Sequence, residues 1–194
     1  MTRERIKKAA LSLFVQDGYE GARLVDIAKA VNIKTASLYF HFESKEQIFI
    51  ELFNDMRDKR LASFEVLHHK LNELKTAEAR LLCLYNDYSN RGYEHNDELL
   101  FWKRSGLFPP SFLKEKINED LVAYQKKFLD ELLVPVILEG IKTHELKDQD
   151  VNKCVVVFLS MIQGMFSEFR YSQPEAYKEK IVILWEFFWD SIKS

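Results

Sequence analysis

A chain of 194 residues with 28 Lys plus Arg against 30 Asp plus Glu, 47% hydrophobic and 13% aromatic, has ample material for a folded core, which argues against intrinsic disorder. Only 6 glycines and 4 prolines leave too few turn-formers for an all-β or collagen-like chain, so an all-α protein of one or two compact domains is expected. Residues 1–60 hold 11 basic and 9 acidic side chains, leaving 17 basic and 21 acidic for the rest, a lean toward nucleic acid that decides nothing alone.

Ile6, Ala9, Ala10, Leu13 and Phe14 recur at helical spacing, with Arg3, Lys7 and Lys8 on the other face, which predicts a first helix over 2–16. Asp17-Gly18 stops it. Leu24, Ile27, Ala28 and Val31 predict a short helix over 24–31, and Asn32, tolerant of a left-handed backbone, marks a turn. A further short helix starts at Lys34 or Thr35 and ends near His41, with Leu38 inward. Ser44, followed three residues later by Gln47 and then Ile48-Phe49, opens a long helix from 45 to beyond 71 as a capping box. Further helices are expected at 76–91, 96–103, 111–144 (bent at Pro135, with a break near Gly140), 148–171 and 175–192. The loop 106–110 ends in Pro109-Pro110, which cannot continue a helix.

Cys83 and Cys154 lie apart among apolar neighbours, against a disulfide framework or zinc ribbon, and no metal or cofactor is expected. The amphipathic start reads as neither signal nor transit peptide, so a cytoplasmic protein is expected. The apolar run 155–166, interrupted by Ser160, Gln163 and Gly164, is too short to span a bilayer.

Helix, tight turn, helix is the pattern of residues 23–42, and two such helices can lay the second into a DNA major groove. Lys34, Thr35, Ser37, Tyr39 and His41 crowd hydrogen-bonding groups onto one short helix, and small Ala36 lets the backbone approach. Tyr39 and Lys45 suit phosphates. Spacing alone fits any polar short helix between two turns equally well.

The residues themselves carry more. Gly18-Tyr19 follows the first helix, Asp26-Ile27-Ala28 lies in the second, Leu38-Tyr39-Phe40-His41-Phe42 forms L-Y-x-H-F, and Ser44 to Phe49 reads S-K-E-x-I/L-F. This run strongly resembles the DNA-binding half of the TetR-type (tetracycline-repressor-like) transcriptional regulators. The resemblance covers about residues 1–60. It implies an N-terminal three-helix helix-turn-helix domain over 1–47 and a C-terminal helical effector-binding and dimerisation domain over 48–194. It further implies that Lys34, Thr35, Ala36, Ser37, Tyr39, Phe40 and His41 face the groove, with Lys45 on a phosphate; Arg23, a departure from the family pattern that could hold a phosphate, and Val25 are further expected DNA contacts. Two departures stand out: Ala22-Arg23 replaces the usual Thr or Ser cap of the second helix, and Asn32 replaces the usual turn glycine.

In the C-terminal half, Phe158, Met161, Ile162, Gly164, Met165 and Phe169 with Leu184, Trp185 and Phe188 are the expected dimer interface, with Ser160, Gly164 and Ser167 as small residues for close approach. The same pattern also suits core helices of a monomer. Tyr85, Tyr88, Phe101, Trp102, Phe108, Phe112, Tyr124, Phe128 and Phe166 are the expected lining of an effector pocket, though aromatics at helical spacing suit plain core as well. The function implied is a dimeric repressor released from a palindromic operator by a small apolar or aromatic effector, with no membrane partner.

An enzyme is the rival class. His41, His68, His69, His95 and His144 form no HExxH, and no GxSxG, P-loop or dinucleotide fingerprint appears. The acidic Glu94, Asp97 and Glu98 read as a loop and helix start. A helical dimer without DNA binding is disfavoured by Tyr39, His41 and Lys45. Repression and activation are not separable from sequence.

Overall fold

The computed structural model describes residues 2–93, 97–169 and 173–194, without the side chains at 90–93 and 166–169. Among them ten α-helices follow in chain order: α1 Thr2–Gly21, α2 Leu24–Ala30, α3 Thr35–Leu38, α4 Lys45–Glu73, α5 Ala77–Tyr93, α6 Asp97–Leu107, α7 Lys114–Phe128, α8 Val134–Lys142, α9 Val151–Phe169 and α10 Pro174–Ile192. The expected all-α class is what the chain adopts.

Several boundaries differ for local reasons. Within α1, Gly18 at φ 75°, ψ 177° is non-helical and interrupts the helix where Asp17-Gly18 is expected to stop it, and a short helical stretch resumes as far as Gly21. α6 absorbs Gly106 and Leu107, where a loop was expected, because a helix needs to stop only before the prolines. The single bent helix expected over 111–144 is four pieces: a 3₁₀ turn Ser111–Leu113, α7, a π-turn Leu129–Leu133 and α8. In the π-turn Val134 donates to the carbonyl of Leu129, five residues back, and the widened turn accommodates Pro135, which has no N–H of its own. Gly140 does not break α8: a Cβ there would come within 2.8 Å of Ala77 Cβ and Leu146 Cγ, so the glycine permits close packing. α9 starts at Val151, not 148, with the Asp150 carboxylate accepting from the N–H of Asn152 at 2.9 Å. The expected helix ends at Asn96 and Tyr171 lie outside the described residues.

Two compact units divide the chain, with breaks inside α4 between Ala62 and Ser63 and inside α7 between Val122 and Ala123. The first unit gathers α1 to α3, the start of α4, α6 and the start of α7, and so extends beyond 1–47. Its core is Ile6, Ala10, Phe14, Ile27, Leu38, Phe42, Ile48, Phe49, Phe53 and Phe101. Phe49 meets Phe14 edge-on at 5.2 Å and Phe101 at 4.9 Å between ring centroids. α6 is fastened to α1 by Ser12 donating to Asp97 and by Arg104 donating to the carbonyl of Val15 at 3.1 Å. The second unit buries Leu81, Leu84, Tyr85, Leu133, Ile137, Phe158, Ile162 and Phe188 from α5, the π-turn and α8 to α10.

Candidate nucleic-acid interface

The second helix of the helix-turn-helix is positioned from beneath. Leu38 is fully buried, as are Ile27 and Ala28 on α2 and Phe42 beyond α3. Between α2 and α3, Asn32 adopts φ 58° and Ile33 donates to the carbonyl of Ala28 at 3.0 Å, so Asn takes the left-handed turn that glycine would otherwise supply. α3 itself is short: the helix ends at Leu38, and residues 39–41 continue as a turn in which His41 and Phe42 both donate to the Leu38 carbonyl. The arrangement turns the 34–41 segment outward over one buried leucine.

Three basic residues of α1 brace this segment. Arg3 pairs with Glu51 at 2.5 Å, lays its guanidinium 4.4 Å from the Phe42 ring centroid and donates to the His41 carbonyl. Arg5 donates to the Val31 carbonyl at 3.2 Å and so satisfies the C-terminal end of α2. Lys7 pairs with Asp55 and is buried, where a solvated face was expected. Arg3 and Lys7 are four apart on α1, as are Glu51 and Asp55 on α4. That matched charge spacing is the sequence signal that identifies the brace.

The outward face is unusual in composition. Phe40 is 87% exposed, Tyr39 55% and Val25 51%; Lys34 and Ala36 are exposed, while Thr35, Ser37 and His41 are half-exposed. Lys29 and Lys34 enter no ion pair among the described residues, so two ammonium groups accompany the exposed aromatics.

The two remaining candidates are already engaged. Arg23 precedes α2 without a side-chain cap bond, and its guanidinium donates to Asp26 at 2.7 and 3.3 Å, which raises its pKa. Lys45 donates to the carbonyls of Tyr19 at 2.6 Å and Ala22 at 3.0 Å and lies 4.3 Å from the Tyr19 ring centroid. A third, longer bond reaches the carbonyl of Glu20 at 3.5 Å, so its ammonium holds the chain between α1 and α2 with all three donors. The capping box forms in altered form: Ser44 accepts from the Gln47 N–H at 3.1 Å, but Gln47 reaches back to the N–H of Glu43, one residue before the cap.

The aromatic set expected to line one pocket is divided. Phe101 packs on Phe14 and Phe49, Trp102 stacks on Phe53 at 5.2 Å, and Phe112 meets Tyr19 at 5.0 Å, all within the first unit. Phe108 is 74% exposed. These four belong to first-unit packing or to its surface, because α6, which falls within the expected effector domain 48–194, packs on α1. In the second unit, Tyr124 stacks on Phe64 at 4.9 Å and Tyr88 meets Phe128 edge-on at 6.1 Å. Tyr85 donates to the Ile181 carbonyl at 2.8 Å and packs on Trp185; burial raises its phenol pKa. The Phe166 side chain lies outside the described residues.

The stripe expected at the dimer interface is largely the inward one. Phe158, Ile162, Met165, Trp185 and Phe188 are buried within the second unit, Met161 is partly covered, Leu184 is exposed, and Gly164 is exposed with nothing within 4 Å of where a Cβ would stand. Phe169 and Ser167 side chains lie outside the described residues. Both helices are apolar on two sides, and periodicity cannot say which side faces the chain's own core. The outer side carries Val156 and Val157 on α9 and Val182, Ile183 and Phe187 on α10, all more than half exposed. No helix among the described residues is long and apolar enough to cross a membrane, and no group of three or more His, Cys, Asp or Glu there is placed to hold a metal.

Comparison with known proteins places this geometry. Residues 6–52 match the family of bacterial regulatory proteins called the tetR family. Over 47 residues the chain is 53% identical to the biofilm operon icaADBC HTH-type negative transcriptional regulator IcaR of Staphylococcus aureus, a match covering 24% of this chain and 25% of that protein. The whole fold is similar to a putative transcriptional regulator from Saccharomonospora viridis solved with choline, at 22% identity and TM-score 0.76, covering 100% of this chain and 98% of the other. It is also similar to AibR solved with isovaleryl coenzyme A and operator DNA, at 19% identity and TM-score 0.68, covering 96% and 97%. Residues 6–52 thus resemble the tetR family in sequence, in keeping with the motifs, and the chain as a whole has the fold of these two solved proteins.

Proposed function

We propose that this chain, TetR-type in its first domain, is a sequence-specific transcriptional repressor that works as a homodimer on a palindromic operator. The observation that carries the reading is the outward face of residues 34–41, rich in hydrogen-bonding and aromatic groups and held over buried Leu38. The negative-regulator role of IcaR, 53% identical over 47 residues, supports repression. Lys34, Thr35 and Ser37 are the natural base-edge readers, Tyr39, His41 and Lys45 the natural phosphate contacts, and Arg23 and Val25 flank them from α2. Dimerisation places two such faces on successive major grooves. The outer sides of α9 and α10, with Val157, Gly164, Ile183 and Phe187, are the surface we assign to it.

A small apolar or aromatic effector is the proposed release signal, and Tyr88, Tyr124 and Phe128 of the second unit are the candidates to contact it. An effector that binds better to a dimer with its reading helices wrongly spaced draws the population off DNA by the difference in its two affinities. The binding of isovaleryl coenzyme A and operator DNA by AibR, a protein of this fold, is compatible with that scheme.

Selection of bound duplexes from a random pool at moderate salt, with wild type beside Tyr39→Ala, tests the reading. One palindromic site recovered by wild type and weakened in the variant is expected. A folded, dimeric wild type that enriches no sequence would overturn it.

A further inference from the structure

The most exposed large apolar side chain among the described residues is Phe40, at 87%, and it stands on the reading segment itself. Exposing a phenyl ring to water carries a standing cost, on the order of 1.5–3 kcal/mol relative to burial, and a position among hydrogen-bonding residues does nothing to offset it in the free protein. Ala36, on α3, is also exposed, so the segment presents two apolar side chains outward on either side of buried Leu38. Lys34 stands immediately before α3 and Lys29 lies on α2; both ammonium groups are outside any ion pair among the described residues. Outward apolar side chains beside unpaired positive charge fit an occupant that is anionic yet offers apolar groups at its surface. DNA meets that description in the major groove, where the 5-methyl of thymine is the one apolar feature of the base-pair edges.

We infer that Phe40, with Ala36, reads thymine methyl groups, so that the operator carries a preferred T·A pair at a fixed place in each half-site. This deepens the regulator reading above and rests on it. Phe40 can donate no hydrogen bond to a base, and its discrimination comes from burying the methyl against the ring. Burial of one methyl-sized group is worth about 0.8 kcal/mol, which is about a fourfold change in affinity per thymine and about fifteenfold for a dimer reading one in each half.

The test uses the duplex recovered by selection, with each thymine replaced in turn by deoxyuridine, which pairs identically and lacks only the methyl. Wild type, Phe40→Ala and Lys34→Ala are compared. Expected is one thymine per half-site whose demethylation costs wild type about fourfold, with Phe40→Ala binding the two duplexes equally and Lys34→Ala keeping the fourfold difference. Wild type indifferent to deoxyuridine at every position overturns the inference while leaving a sequence-specific regulator in place. A methyl dependence that survives in Phe40→Ala also overturns it, assigning the methyl to another side chain. Failure of wild type to select any site removes the regulator reading and this inference together. Phe40→Ala removes an exposed ring, so its helical circular dichroism and melting should match wild type, which separates a lost contact from a lost fold.

Discussion

Lys45, the proposed phosphate contact, is also a structural tie. Its ammonium satisfies carbonyls of Tyr19 and Ala22, so Lys45→Met should lower the melting temperature as well as operator affinity. A variant that loses affinity and one unit of salt slope with unchanged melting would reduce Lys45 to a phosphate contact alone. Arg23 is the converse case. Its ion pair with Asp26 aims the guanidinium while the side chain stays 72% exposed, and Arg23→Ala should reduce the salt slope of binding by about one unit. An unchanged slope would leave it only as a brace at the start of α2. Gly18 is constrained by conformation more than by space. At φ 75°, ψ 177° any other residue is strained, and Gly18→Ala should destabilise by about 1–3 kcal/mol in urea unfolding, with Arg104, 2.7 Å from the added Cβ, forced to move. Asn32 by contrast was readable as a left-handed turn from its identity alone, because few other residues tolerate that backbone.

At the scale of helices, what sequence shows best is which residues turn inward on an element with one apolar side. α2 and α3 follow their sequence periodicity, with Ile27, Ala28 and Leu38 inward as expected. α9 and α10 do not yield to the same argument. With Val156 and Val157 on one side and Phe158 and Ile162 on the other, the pattern requires two covers but does not assign them. The structure puts Phe158 and Ile162 in the chain's own core. Substitutions at the two sides should therefore part company. Phe187→Asp should yield a folded monomer in sedimentation, whereas Phe158→Ala should cost about 3–5 kcal/mol of stability by leaving a cavity. If Phe187→Asp sediments as wild type does, the interface lies elsewhere. The π-turn at 129–133 was also hidden, since Pro135 announces a disturbed helix but not the wider turn that accommodates it.

For the molecule as a whole, local motifs and distant packing differ in what they reveal. The reading domain was legible because its turn, caps and inward residues are close in sequence. The recruitment of α6 to α1 was not, because it depends on Ser12 with Asp97 and Val15 with Arg104, pairs more than 80 residues apart. That packing is also why Phe101 and Trp102 left the expected pocket. Tyr88, Tyr124 and Phe128 of the second unit are the proposed effector contacts. Tyr124→Ala should retain operator binding and lose release by effector. The measurement that tests the central claim most directly is the affinity of the wild-type dimer for its selected palindrome against a scrambled duplex of the same composition, at one fixed salt concentration. A preference of about a thousandfold or more is the predicted result, since base contacts add to the shared phosphate contacts only on the true site. A ratio near one, from folded protein free of effector, would contradict the claim that this face reads sequence.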